Sequence, residues 1–362
     1  MNKPKVVVAM SGGVDSSSTA AVLKEQGYDV IGITLKLPGL GEPTHGKTGC
    51  CGITGIEDAR RVAFRLGIPF YVLNYEKEFT NTVIAEFCKE YAQGRTPNPC
   101  VSCNKIVKLG SLLKKARSLG AEYVATGHYA RIKYNKTTKH YELRKGIDSK
   151  DQSYFLYALS QKQLQHIMFP LAGYTKDEVR QVARRYKLPV AEKPGSQDIC
   201  FIPDNDYGKF LKERHPELAK PGPVVHISGK VLGEHKGIAF YTLGQRKGLG
   251  IAYGEPIYVI ALDKKHNKVI VGSKEDTLRK ELIADKVNWV SIAEPKRAFR
   301  AQTKIRYGPK EALTKIIPLK GKRVRVLFDK PQSAITPGQA VVFYRRDMVL
   351  GGGVIKTVKT NN

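Results

Sequence analysis

The stretch VVVAMSGGVDSSSTAAVL, Val6 to Leu23, reads as a strand, a glycine- and serine-rich loop and a helix in immediate succession. Lys5 to Ala9 is an apolar, β-branched run of strand length. Ser16 to Gln26 then turns Ala20, Ala21 and Leu23 inward as a helix, with Gly27 placed to stop it. In the loop between them Gly12 and Gly13 let the backbone approach an anion closely, and Ser11, Ser16 and Ser17 add hydroxyls beside the free amides of a helix N-terminus. A Walker loop would read GxxxxGK followed by Ser or Thr, but Val14, Asp15 and Ser16 occupy that region and the lysine is missing. Transfer of a γ-phosphoryl group is therefore not the first expectation.

Working outward, DVIGITLKL reads as a buried strand, Ile56 to Leu66 as a helix, FYVLN as a strand and Phe79 to Tyr91 as a helix. Thr54 and Glu57 stand at capping-box spacing before the first of these helices. Lys105 to Leu119 follows with an apolar face, then YVAT as a strand ahead of TGHYA. This alternation predicts a doubly wound parallel α/β sheet whose ligands sit at the carboxyl ends of its strands. Residues 129 to 144 read as a hairpin insertion, and helical patterns resume at Ser153 to Leu159, Thr175 to Tyr186 and Tyr207 to His215. From Pro221 onward short β-branched runs alternate with Gly-, Pro- and Asp-containing turns, which predicts small β domains with a boundary near Ala284 to Val290. The expected division is a catalytic domain over residues 1–210, a central β-rich domain over 211–285 and a basic, barrel-like β domain over 286–362.

A chain of 362 residues is long enough for several cores. Nothing in it reads as a signal peptide or membrane span, and six cysteines do not form a disulfide scaffold, so a cytoplasmic protein without a membrane partner is expected. The net charge of +28 is unevenly spread: residues 1–90 carry ten basic and ten acidic side chains, whereas Ser291 to Asn362 carry sixteen and four. That asymmetry points to a polyanion meeting the later segments.

The string SGGVDS resembles the pyrophosphatase loop of enzymes that cleave ATP between its α and β phosphates, where Asp15 would help place Mg²⁺. TPNPCVSCNK sets Cys100 and Cys103 in a Pro-rich loop directly before the Lys105 helix, and GSQDICFIP holds Cys200. A helix N-terminus favours a thiolate, so these positions predict reactivity. A lone CxxC is also half of a zinc site, but Cys50, Cys51, Cys88 and Cys200 offer no second CxxC. Cys50 and Cys51 read as packed or incidental thiols, and Cys88 as core.

Together GGVDSS, GCCG…EDARRVA, TPNPCVSCN, ATGHYAR, KDQSYFLY, KPGSQDICFIP, YTLGQRKGLG, KIRYG and TPGQAVVFY form an ordered set that resembles the tRNA-specific 2-thiouridylase family, MnmA/TrmU, over nearly the whole chain. The resemblance implies an adenine nucleotide alpha hydrolase-like fold and ATP-dependent 2-thiolation of a tRNA wobble uridine. It implies tRNA as substrate and a persulfide relayed from a cysteine desulfurase. Carried over position by position, Ala9, Met10, Ser11, Gly12, Gly13, Val14, Asp15 and Ser16 form the phosphate side of the ATP site, with Leu35 and Gly127 around the adenine. Cys103 matches the nucleophile and Cys200 the persulfide carrier. Asn98, Pro99 and Cys100 align with contacts near the target base, Lys150, Asp151 and Gln152 with another tRNA contact, and Arg306, Tyr307 and Gln339 with contacts in the β domain. His128 sits beside the active site, a position a satisfied structural histidine fills equally well.

One departure matters: many members have aspartate where this chain has Cys100. Related tRNA thiolases on the same loop hold an iron–sulfur cluster through a CxxC and a distant cysteine, so Cys100, Cys103 and Cys200 would supply three ligands of a [4Fe–4S] cluster. The other reading is a redox pair of Cys103 and Cys200 supported by Cys100; the completed ligand set tips the expectation to the cluster. The rival functions are another AMP-forming ligase or amidotransferase, which leaves the basic tail unexplained, and a nonenzymatic metal-containing RNA-binding protein, which leaves SGGVDS unexplained.

Overall fold

The computed structural model describes residues 3–38, 53–147, 150–195, 199–202 and 204–359. Cys50 and Cys51 lie outside the described residues. Strands β1 (Lys5–Ala9), β2 (Asp29–Lys36), β3 (Phe70–Asn74), β4 (Tyr123–Ala125), a hairpin of β5 (Ala130–Asn135) and β6 (His140–Lys145), and β7 (Ile167–Met168) make up the N-terminal half. Five of them form a parallel sheet in the order β3-β2-β1-β4-β7. Alternation along β1 sends Val6 and Val8 into one core and Val7 into the other, so the sheet is covered on both faces as its apolar runs require. The chain leaves β1 toward β2 and returns on the other side at β4. The crevice at the carboxyl ends of β1 and β4 is therefore the topological switch point, where such sheets bind ligands.

The first helix runs Val14–Glu25, two residues ahead of the expected start, with Gly13 at its N-cap and Gly27 at φ +80° closing it as expected. The capping box expected at Thr54 and Glu57 does not form. The helix already includes Thr54 within Ile53–Leu66, and Glu57 pairs with Arg60 at 2.6 Å. The helix expected from Lys105 starts six residues earlier, because Asn98 occupies the N-cap and Pro99 the first turn. It continues from Pro99–Ser102 through a π-helical stretch, Cys103–Ser111, into Leu112–Ser118. Cys100 is thus in the first turn and Cys103 one turn inside, not in a loop before the helix.

Strands β8 (Gly222–His226), β9 (Val231–His235), β10 (Tyr258–Asp263) and β11 (Lys268–Gly272) form the central sheet in the order β10-β11-β8-β9. The last six, β12 (Leu278–Asn288), β13 (Phe299–Lys304), β14 (Ala312–Leu319), β15 (Arg323–Ser333), β16 (Ala340–Arg345) and β17 (Met348–Val358), close into a barrel through the pairing of β12 with β17. The division expected at residue 285 therefore passes through β12, and the sheets change between Gly272 and Leu278. The division expected at 210 likewise passes through the helix Tyr207–Arg214.

The hairpin β5–β6 joins the barrel sheet, Arg144 pairing with Met348 on β17. One apolar core runs from Val7 and Phe87 in the N-terminal half to Val290, Val342 and Tyr344 in the barrel. The barrel is consequently packed onto the N-terminal half, and Asn288 Nδ2 seals the seam by donating to the Tyr157 and Leu159 carbonyls at 2.7 and 2.9 Å.

Candidate active site

At the switch point the loop after β1 and the loop after β4 enclose a cleft. Its walls include Ala9, Met10, Ser11, Gly13, Val14, Asp15, Ser16, Leu35 and Gly127, all of the expected nucleotide residues but Gly12, together with His128 and Gln152, which were expected as tRNA contacts. Gly12 is at φ +73°, and a Cβ there would lie 2.1 Å from the Gly55 carbonyl oxygen; only glycine fits. At Gly127 a Cβ would meet the Asp15 backbone at 2.8 Å, which is how closely the two loops approach. Ser16 Oγ accepts from Ser11 N at 3.1 Å and donates to Gly13 O at 3.1 Å, so the loop closes on itself. Gly13 supplies no side-chain cap, and the first-turn amides face the cleft end of the helix, where an anion is favoured.

Two lysines from elsewhere in the chain reach the loop. Lys193 Nζ donates to the Gly12 carbonyl at 3.2 Å and to Asp58 Oδ2 at 2.7 Å. Lys176 Nζ and the Tyr129 hydroxyl both donate to Asp15 Oδ1, the hydroxyl at 2.7 Å. Lys108 also lines the cleft. None of these lysines carries a loop motif of its own; Lys193 opens KPGSQDIC, the one local signal available.

Asp15 is the only carboxylate lining the cleft among the described residues. One carboxylate with substrate phosphates is a usual donor set for Mg²⁺, so the site fits that ion. His128 is half-buried on the cleft wall, its Nδ1 2.7 Å from Thr126 Oγ1 and its ring edge-on to Phe169. Burial, assisted by the Lys108 charge, pushes its pKa down to about 3, so the imidazole is neutral and serves as a polar wall.

Cys103 corrects the expected reactivity. It is 5 % exposed, and burial pushes its thiol up to about 11 against the downward pull of Lys108. Desolvation outweighs the helix dipole because the cysteine is a turn inside the helix and covered. Cys100 and Cys200 are half-buried, the latter packed against the core that holds Cys103, and Cys88 is core as expected. Among the described residues no three His, Cys, Asp or Glu side chains converge as a metal site. Cys100, Cys103 and Cys200 are thus not assembled as cluster ligands, and a [4Fe–4S] cluster does not fit this arrangement.

Of the residues aligned with RNA contacts, Asn98 lies at the seam with the barrel segment before Gln339, whereas His128 and Gln152 line the nucleotide cleft. Thr96 N donates to Pro337 O at 2.8 Å, anchoring the segment that leads into the helix start of Asn98, Pro99 and Cys100 close to the turn before Gln339. Tyr154 Oη donates to Ala340 O at 2.8 Å and is hydrogen-bonded to the Asn98 side chain. Tyr307, 44 % exposed, lies 4.6 Å from the Phe155 ring, and Arg306 beside it is exposed. Lys150 is exposed. Asp151 instead anchors a turn, accepting from Gly146 N, Ser153 N and Ser153 Oγ. Gln152 exchanges two hydrogen bonds with the Tyr129 backbone and reaches the cleft.

A parallel α/β domain with an anion loop at its switch point, Cys103 on a helix that also lines the cleft through Lys108, and a basic barrel at its flank define a nucleotide-using enzyme of the pyrophosphatase-loop class. Residues 4–204 match the family described as tRNA methyl transferase HUP domain, residues 208–273 the tRNA methyl transferase PRC-barrel domain, and residues 279–355 the aminomethyltransferase beta-barrel domain. The tRNA-specific 2-thiouridylase MnmA of Heliobacterium modesticaldum is 54% identical over 356 residues, covering 98% of this chain and 92% of that protein. Its namesake from Halothermothrix orenii is 52% identical over 354 residues, covering 97% and 99%. Among solved structures, a 4-thiouridine synthetase–RNA complex with bound ATP is 17% identical with a TM-score of 0.36, covering 59% of this chain and 51% of that one. The chain belongs to the tRNA-specific 2-thiouridylase MnmA family.

Proposed function

We propose that the protein uses ATP to activate the C2 oxygen of a tRNA wobble uridine and replaces that oxygen by sulfur. Oxide is a poor leaving group; once the oxygen has attacked the α-phosphorus of ATP, pyrophosphate departs and AMP becomes the group to be displaced. The amides of the Gly12–Ser16 loop and the Lys193 and Lys176 ammonium groups hold the phosphates, and Ile33, Leu35 and Leu37 wall the cleft on the adenine side. Mg²⁺, held by Asp15 together with the phosphates, would spread the charge of the departing pyrophosphate.

Sulfur arrives as a persulfide on Cys200 from a donor protein, a cysteine desulfurase or a relay partner. In one route the terminal sulfur attacks C2 directly and AMP departs; the Cys103 thiolate then attacks Cys200 Sγ, breaking the S–S bond, which leaves the sulfur on C2 and a Cys103–Cys200 disulfide for a dithiol reductant to restore. In the other, the Cys103 thiolate attacks Cys200 Sγ, a Cys103–Cys200 disulfide forms and sulfide leaves; sulfide then attacks C2, AMP departs, and a dithiol reductant restores both thiols. Neither route needs a cluster, in keeping with the unassembled ligand set. The observation that carries the reading is that the helix bearing Cys103 also forms a wall of the nucleotide cleft through Lys108. Mass spectrometry of nucleosides from tRNA incubated with enzyme, ATP and a persulfide donor should show 2-thiouridine, with pyrophosphate release that depends on tRNA. Unchanged uridine with a competent donor sinks the proposal.

A further inference from the structure

The Cys103–Ser111 stretch is π-helical, with Leu112 N donating to Val107 O five residues back. In an α-helix of about 3.6 residues per turn, positions five apart point in different directions; the wider turn of a π-helix, bonded i to i+5, brings them to the same side. The π register therefore brings Lys108 to the side of Cys103, near enough for its charge to act on that thiol, while Lys108 also lines the nucleotide cleft.

Two features hold that register. A Cβ on Gly110 would stand 2.7 Å from the Lys105 carbonyl oxygen, so the close approach of residues five apart is open only to glycine there. Gln163 reaches across from the helix Gln161–Leu164, and its Nε2 donates to Lys105 O at 2.9 Å and Leu109 O at 2.7 Å, both carbonyls of the π turn. The same side chain is fixed at its other end, its Oε1 accepting from Ser160 N at 3.0 Å in a capping box. A distortion braced by a residue locked in place is a built feature.

We propose that the π turn exists to put the Lys108 ammonium between the nucleotide cleft and Cys103, making Lys108 the catalytic cation that stabilises the Cys103 thiolate and Gln163 the positioning residue that keeps it there. A buried thiol raised to about 11 is almost wholly protonated at neutral pH, and Lys108 is the charge that opposes this. The inference rests on the proposed reaction only for what the thiolate is used for.

Its test does not need thiolation. Alkylation by iodoacetamide is followed at each cysteine by mass spectrometry over about pH 7 to 11, where thiolate fraction sets the rate. Lys108→Gln should slow Cys103 alkylation about tenfold per unit of added pKa, Lys108→Arg should restore it, and Gln163→Leu should slow it with Lys108 still present. Core-buried Cys88 reports folding in the same spectra; should Lys108→Gln expose it, Lys108→Met carries the same comparison. An unchanged Cys103 profile in the Lys108 variant overturns the assignment of the cation, and an unchanged profile in Gln163→Leu overturns the role of the π turn. Failure of the wild-type protein to form 2-thiouridine is a separate result and overturns the parent reading instead.

Discussion

Lys193 bridges Asp58 on one helix and the carbonyl of Gly12 in the anion loop, at 2.7 and 3.2 Å. The loop that lacks a lysine of its own is thereby tied to the segment that leads to Cys200. Lys193→Met should raise the KM for ATP in tRNA-dependent pyrophosphate release by roughly ten- to a hundredfold, the weight of a charge-assisted hydrogen bond. Steady-state kinetics with Lys193→Arg as the charge-preserving control measures this, and an unchanged KM removes Lys193 from the phosphate site.

Asp15 holds its place through Tyr129 and Lys176. Asp15→Ala should lower pyrophosphate release by ~100-fold or more, since it removes a preorganised electrostatic group. Tyr129→Phe loses one bond and should cost only about fivefold. Equal losses in the two variants would mean that the tyrosine, and not the carboxylate, carries the role.

His128 sets a pH dependence of stability. Its pKa in the folded protein is lowered to about 3, below the unfolded value near 6.5, so the unfolded chain takes up a proton that the folded one refuses. Its contribution is full above about pH 6.5 and is lost as pH falls toward 3, at no more than about 1.4 kcal/mol per unit, less whatever solvent in the cleft screens. Urea unfolding at several pH values should show a shallower acid slope in His128→Asn; identical slopes would show that the imidazole ionises as freely as an exposed one.

The barrel should carry much of the nonspecific affinity for tRNA. Three of its acids are already paired, Glu311 with Lys145 and Lys304, Asp329 with Arg300, and Asp347 with Arg131 and Arg144. Replacing Lys310, Lys315, Lys320 and Lys322 by Gln should flatten the plot of log affinity against log salt by up to about 0.7 to 0.9 per phosphate contact removed. Filter binding across salt concentrations reads this slope, and no change would place the RNA elsewhere.

Gly338 packs the barrel against Thr96, just ahead of the helix that carries Cys100. It sits at φ +92°, and a Cβ would lie 2.9 Å from Thr96 N. Gly338→Ala should destabilise the fold by about 1–3 kcal/mol and weaken tRNA binding while leaving the ATP Kd intact. Thermal unfolding with separate ligand titrations checks this; a tRNA Kd equal to wild type would separate the seam from RNA recognition.

The strand, loop and helix of Val6–Leu23 were legible because periodicity and glycine placement belong to contiguous residues, and the sheet followed from their repetition. The basic end and the ordered motifs were legible for the same reason. Tertiary structure alone decided the cations of the site: Lys176 meets Asp15 across 161 residues and Lys193 meets Gly12 across 181. It also decided the π register, which depends on Gln163 bracing carbonyls 54 and 58 residues away. Cys103 shows the reason most directly. Position near a helix start predicts an ionised thiol, but ionisation depends on solvation, and burial is set by what the rest of the chain packs over a residue.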